Sequence, residues 1–511
     1  MYSKNRVTAW VSFLLILHLG SLGALAQAPA VGPQPIATPA PAPTTIGELQ
    51  TLIRVVLRRP EVEAAQFAVK IASLETGRTL FEENATKLLK PASNLKLYTV
   101  AAALARLSPN FRFKTSVYAA ARPDASGTLR GDLTVYGRGD PSIAASYNDG
   151  DYFKGIDALA TRIAAAGVKR VDGDLVGDET HFAGPPFGSG WEWDDLQWEY
   201  GAEISSLTVN DNVVDFFVQA GSQPGAACRI TLGPPTSLLT IINRTTTSAR
   251  GSKRNLIVYR HPGESVFAVG GSLPLEDPGY TANVSVPKPA LLFVTMLRTS
   301  LEKLGIAIKG RTRTVDARAE RTSLPPPVSG FAAATPASGI NNAPPGALVE
   351  LASLESPPLA VIAADTLKPS QNLYTELVLR ALGKTGVPDP SHDSAQAGIA
   401  AVKSFLIEAG INSAKIQITD GSGLSRNNLV TADATLRLLT YMARHPYANV
   451  FRDALPIAGV GGTLRRDGTL RNRMRDTPAA NTASAKTGSL DGVATLSGYV
   501  TSAAGEPLVS L

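Results

Sequence analysis

Three short motifs constrain this chain more than anything else in its 511 residues: Ser93-Asn94-Leu95-Lys96, Ser370-Gln371-Asn372 and Lys486-Thr487-Gly488, in that order. Ser370 lies 277 positions after Ser93 (370 − 93). If the motifs serve one site, two distant stretches must fold together around a gap able to hold an inserted domain, or two small ones.

Each motif suits one part of an acyl-transfer site. Pro91 precedes a predicted helix from about Ser93 to Leu107, with Leu95, Tyr98, Ala102 and Leu104 at packing positions. Residues three apart share a helix face, which sets Lys96 beside the Ser93 hydroxyl. A serine is a poor nucleophile until a base takes its proton. A lysine becomes such a base when burial and a neighbouring cation, here Lys486, lower its pKa. The helix start adds N–H groups and positive dipole for a developing oxyanion. Ser370 can relay a proton, and Asn372 can hold Lys96. Residues 483–490, a turn at Asp491-Gly492, and 493–501 read as a hairpin carrying Lys486. Its strand can pair with an extended peptide. Lys486 and Thr487 would then bind a terminal carboxylate, and Gly488 would allow close approach.

Decoys show how weak each motif is alone. Ser300-Leu301-Glu302-Lys303 repeats the first, Ser425-Arg426-Asn427 the second and Lys384-Thr385-Gly386 the third. Ser300 falls inside an amphipathic helix, where its hydroxyl is expected to bond a backbone carbonyl. Lys384 follows Gly383 and precedes Pro388, a helix stop rather than a strand. Only Ser93, Ser370 and Lys486 give helix start, helix start and strand in order.

The remaining sequence supplies organisation. Lys4 and Arg6, an apolar run from Trp10 to Leu19, and Ala24-Leu25-Ala26 read as an export signal over residues 1–26. The run is too short for a stable membrane span, so a periplasmic, extracytoplasmic location is expected. Residues 27–45 form a Pro/Ala-rich linker. Residues 46–110 are expected to begin an α/β domain, an antiparallel sheet flanked by helices. A mostly β insertion should fill 111–324, and 325–511 should complete the domain, with Pro325-Pro326-Pro327 at the return. The single cysteine, Cys228, excludes an intramolecular disulfide. A net charge of +6 without a basic stripe argues against nucleic acid as partner. His181, His261, His392 and His445 lack ligand spacing, so neither metal nor other cofactor is expected. Arg138-Gly139-Asp140 is read as a turn rather than an adhesion tripeptide.

The motif set is that of penicillin-binding proteins, and the chain resembles their class C low-molecular-mass members, the D-alanyl-D-alanine carboxypeptidase/endopeptidases. Gly131-Asp132-Leu133, Trp191-Glu192-Trp193-Asp194-Asp195, Tyr200-Gly201-Ala202 and Asn210-Asp211-Asn212 extend the resemblance. So do Asp420-Gly421-Ser422-Gly423-Leu424-Ser425-Arg426 and Gly461-Gly462-Thr463-Leu464. It implies a penicillin-binding, serine β-lactamase-like domain interrupted by the insertion. It also implies cleavage of D-Ala-D-Ala termini and D-Ala-diaminopimelate cross-links of peptidoglycan stem peptides, and acylation by beta-lactams. Ser93 is implied as nucleophile, Lys96 as base, and Ser489 as an oxyanion-hole donor with Ser93. Asp195, Tyr200 and Arg426 are implied for the free end of the diaminopimelate. A β-lactamase would need a water-activating base, and no glutamate stands in a matching context. The rival from another class is a non-catalytic wall-binding scaffold of the same fold. Relatives continue past the strand opened by Glu506-Pro507-Leu508-Val509 into a C-terminal helix, so a truncated chain, or a sheet unfinished on one side with an exposed apolar edge, is expected.

Overall fold

The computed structural model describes residues 43–316, 348–385, 393–412, 415–461 and 468–510. The export signal, residues 27–42 of the linker, Pro325-Pro326-Pro327, Gly386, Pro388, His392 and Gly462-Thr463-Leu464 lie outside the described residues.

Helix α1 (Ile46–Leu57) starts at a capping box of Thr45 and Glu48, which satisfies two donors the helix start leaves open. Its Leu57 packs with Val69, Ile71, Leu80 and Phe81 on the hairpin of β1 (Val69–Ser73) and β2 (Thr79–Glu83). A 3₁₀ turn, Ala92–Asn94, leads into α2 (Leu95–Leu107). Every residue of α2 from Leu95 to Leu104 is buried. A helix apolar on all sides belongs in a core, and the run Val100-Ala101-Ala102-Ala103 lets neighbouring helices come close.

The inserted region centres on a mixed sheet of β3 (Lys114–Ala119), β4 (Leu133–Tyr136), β5 (Leu175–Asp178), β6 (Thr312–Val315) and β7 (Val349–Glu355), in the order β6-β5-β4-β3-β7. Helices α3 (Lys154–Ala165) and α4 (Pro289–Lys303) share one hydrophobic core with it. Three three-stranded sheets complete the described residues of this region. Strand β7 pairs antiparallel with β3, from Val349 opposite Ala119 to Glu355 opposite Lys114. Residues 349–355, which lie beyond 325, therefore pair with this sheet. Arg138-Gly139-Asp140 is irregular backbone just before a turn at Pro141-Ser142 rather than the turn expected; Gly139 has φ +89°, its N–H donates to the Ser206 carbonyl, and Asp140 is buried. Ser300 corrects one expectation: its hydroxyl donates to the Asp157 carboxylate of α3, not to a backbone carbonyl.

Helices α5 (Leu359–Leu367), α6 (Asn372–Gly383), α7 (Ser394–Glu408) and α8 (Ala432–Ala443) then surround α2. The last three strands are β8 (Ser484–Leu490), β9 (Val493–Thr501) and β10 (Pro507–Ser510). They join the N-terminal hairpin in the order β8-β9-β10-β1-β2, with antiparallel neighbours throughout. The expectation of an exposed edge at the last strand is corrected here. Strand β10 is the middle strand, paired to β9 and β1, while the edges are β8 and β2. The Lys486 strand is thus one of the two edge strands, bridged on its outer side only at its start, where Ile457 stands opposite Ser484 among the described residues. Among the described residues no helix is long and apolar enough to cross a membrane.

Truncation should separate α2 from the surface of this domain. Leu104→Ala, at a position 0% exposed, should lower the unfolding free energy by about 3 kcal/mol. Ile407→Ala, at 62% exposure, should change it by less than about 0.5 kcal/mol. Urea denaturation of both variants checks the contrast.

Candidate active site

The 3₁₀ turn at the start of α2 presents Ser93 half-buried and Lys96 fully buried one turn on. The Lys96 Nζ lies 2.9 Å from Ser93 Oγ, 2.6 Å from Asn372 Oδ1 and 2.8 Å from the Ser422 carbonyl oxygen. Burial lowers the Lys96 pKa to about 7, against the opposing pull of the Asp420 and Glu376 carboxylates. Lys486 is also fully buried; burial and then the Lys96 amine hold it well below its usual value. Its Nζ donates to the Thr487 carbonyl at 2.7 Å. Two buried amines cannot both carry charge cheaply, and here the influence falls on Lys486, whereas burial accounts for the shift of Lys96.

Asn372 opens α6, capped by the Gln371 side chain accepting from Leu373 N. Its Nδ2 donates to the Tyr200 carbonyl at 2.8 Å. Ser370, just before the cap, is half-buried at φ +69°. Ala92, just before the other site serine, has φ +46°. Left-handed backbone at non-glycine residues costs on the order of 1–3 kcal/mol each, and the surrounding packing must sustain it. Gly423 belongs to that packing: a Cβ there would sit 1.9 Å from the Ala92 carbonyl oxygen, and its φ is +83°.

Strand β8 closes the site. A Cβ on Gly488 would fall 2.3 Å from Thr495 Oγ1 and 2.9 Å from both the Pro91 oxygen and the Ser93 nitrogen. The close approach Gly488 permits is therefore to the serine turn itself. The Thr487 hydroxyl donates to Thr469 Oγ1 at 2.8 Å, and Ser489 is exposed. Lys96 thus bonds both Ser93 and Asn372, and Gly488 of β8 packs against the Ser93 turn.

The residues around the site were only partly foreseen. Arg426 bonds Glu192 rather than Asp195, although Asp195 and Asp491 also favour its charge. Burial first, then Asp195, Glu199, Asp194 and Asp491, push the Tyr200 phenol up. Asp195 thus acts electrostatically on both Arg426 and Tyr200, while Glu192 is the bonded partner that sequence reasoning did not single out. One carboxylate oxygen each from Glu192, Asp194 and Asp195 lies within 4.8 Å of the others, a cluster already served by the Arg426 guanidinium. Asp420 accepts from Gly423 N, Ser425 N, Asn428 Nδ2 and, at 2.9 Å, Trp191 Nε1 of the inserted region. Glu376 is the other residue missed. It lies four positions after Asn372 and so on the same helix face, the one signal that could have pointed to it.

The model of the D-Ala-D-Ala carboxypeptidase 3 (S13) family matches residues 49–326 and 336–510. The chain belongs to this family. It is 33% identical over 470 residues to the D-alanyl-D-alanine carboxypeptidase of Actinomadura sp. (strain R39), covering 91% of this chain and 80% of the relative. It is 27% identical over 451 residues to the D-alanyl-D-alanine carboxypeptidase DacB of Haemophilus influenzae, covering 88% and 84%. The crystal structure of penicillin binding protein 4 from H. influenzae superposes with a TM-score of 0.71 at 25% identity, over 87% of this chain and 88% of that one. The fold is the penicillin-binding α/β fold with its insertion.

In this S13 chain Gly423→Ala would combine a left-handed backbone with a clash on the Ala92 carbonyl. It should cost about 2 kcal/mol or more, read as a lowered midpoint in denaturant.

Proposed function

We propose that Ser93 is the nucleophile with which this DD-peptidase cleaves the D-Ala-D-Ala terminus of peptidoglycan stem peptides, with Lys96 as its base. The observation that carries the reading is the Lys96 amine, fully buried and 2.9 Å from the Ser93 hydroxyl. Lys96 takes the hydroxyl proton as Ser93 Oγ bonds the penultimate D-Ala carbonyl carbon. The developing oxyanion lies between the backbone N–H groups of Ser93 and Ser489. Ser370 passes the proton to the leaving nitrogen, the C–N bond breaks, and D-Ala departs. Water then attacks the ester by the reverse proton path and frees Ser93. Asn372 holds Lys96 and faces the substrate amide.

The substrate strand adds to the open edge of β8, in the manner of β-augmentation. Its terminal carboxylate meets Lys486 and Thr487. The arriving anion raises the affinity of the Lys486 amine for a proton and makes the clamp ionic. A diaminopimelate side chain ends in an ammonium and a carboxylate. That pair complements Glu192 and Asp195 on one side and Arg426 on the other, with Tyr200 beside them, which supports cross-link cleavage as well. Beta-lactams, which place a strained amide where the terminal peptide bond sits, acylate Ser93. The enzyme works outside the cytoplasmic membrane, delivered by the signal at residues 1–26. Residues 46–110 together with those from about 356 to 510 make the catalytic unit, and 111–355 the insertion, because β7 pairs with β3.

Three experiments test this. A fluorescent penicillin should label the protein, and Ser93→Ala should abolish the label; a persistent label means the nucleophile lies elsewhere. Mass spectrometry of muropeptides incubated with the enzyme should show both loss of one D-Ala and loss of cross-links. For pH, protonation removes the lone pair of Lys96, whose pKa is lowered to about 7. The second-order acylation rate should therefore be full above neutrality and fall as pH drops through about 7, as stopped-flow labelling from pH 5 to 9 would show.

A further inference from the structure

The three neighbours of the Lys96 amine are not equivalent. Asn372 Oδ1 and the Ser422 carbonyl can only accept, whereas Ser93 Oγ can donate as well. The Asn372 amide is fixed in that sense because its Nδ2 donates to the Tyr200 carbonyl, an acceptor only. A neutral amine has two N–H groups and one lone pair. With both N–H groups taken by carbonyl oxygens at 2.6 and 2.8 Å, the lone pair is left for the Ser93 hydroxyl. The orientation of the base thus depends on where the Ser422 carbonyl stands.

That carbonyl sits on a loop, and its placement is set from α6. Glu376 Oε1 accepts from Gly421 N at 3.0 Å and from Ser422 N at 2.8 Å. Thr99 Oγ1 of α2 holds the Gly421 carbonyl at 2.8 Å. Glu376 is fully buried, at 1% exposure, and burying a carboxylate is costly unless it does something. We propose that Glu376 is a positioning residue for acylation: its carboxylate pins the Gly421 and Ser422 amides so that the Ser422 carbonyl takes one Lys96 N–H and the amine lone pair stays on Ser93. This rests on the roles assigned above to Ser93 and Lys96.

Charge follows from the same placement. Facing Glu376 are Asp420 from the loop, Arg380 from its own helix and the Lys96 amine from α2; facing Lys96 are Asp420, Glu376 and, from β8, Lys486. Burial and then Asp420 push Glu376 up to about 7, the range in which Lys96 also titrates. Glu376 and Asp420 are the anions that keep the Lys96 pKa from falling further. Replacing Glu376 by an amide of the same shape removes one of them and keeps an acceptor oxygen for both loop amides.

The test uses Glu376→Gln and Glu376→Ala in the full chain, with stopped-flow acylation by a fluorescent penicillin resolved into non-covalent affinity and acylation rate from pH 5 to 9. Glu376→Ala should slow acylation at least about tenfold while affinity changes less than about twofold, as expected when a base is misaligned. Glu376→Gln should retain more of the rate and move the acid limb down by about one pH unit, a shift that a purely structural residue would not give. If Glu376→Ala does not fold, as thermal denaturation would show, the acid limb of Glu376→Gln decides alone. An unmoved limb overturns the proposal, as does a Glu376→Ala rate within twofold of wild type. Ser93→Ala runs alongside: label that survives it sinks the nucleophile assignment and this inference together, whereas lost label with wild-type behaviour of both Glu376 variants sinks this inference only.

Discussion

The structure is organised around an amine kept out of water. Lys96 has no exposed surface, and an ammonium there would forfeit most of its hydration. The protein answers with fixed dipoles, two carbonyl oxygens and a hydroxyl at hydrogen-bond distance, rather than with a directly bonded carboxylate. A salt bridge would have held the proton on nitrogen and left the serine without a base. Asp420 and Glu376 act on Lys96 electrostatically, while their oxygens are spent on backbone amides.

The inserted region is tied to this centre at named points. Trp191 donates to Asp420, Arg426 bonds Glu192, and the Tyr200 carbonyl orients Asn372. The first two links reach the 420–426 segment and the third the start of α6, so the inserted region borders the site at two places. The same wall carries the acidic group around Asp195, which gives one side of the cleft a charge unlike the amine-lined floor.

Much of this was legible because the deciding signals are local. The Ser93–Lys96 spacing on a helix start, the Asn372 helix and the Lys486 hairpin all follow from residues within a few positions of each other. What was hidden is tertiary. Glu376 reads as an ordinary helix residue until the 420–425 loop folds over it. Ser300 finds Asp157 across 143 positions, which no local pattern announces. Val349-Glu350-Leu351-Ala352-Ser353 could have closed either sheet; only its pairing with β3 places it in the insertion. The placement of Pro507–Ser510 at the centre of its sheet likewise depends on β1, more than four hundred positions away.

That central placement governs the order in which the molecule can become functional. Synthesis delivers β1 and α2 early, but β1 has only β2 beside it until the last strand emerges. Such long-range closure is slow, since the entropy of the loop is spent before any contact rewards it. Until then β9, which flanks the Lys486 strand, also lacks its second partner. The short strand β10 is therefore the piece that ties the hairpin carrying Lys486 to the N-terminal hairpin, so the two distant ends of the domain share one sheet only through it.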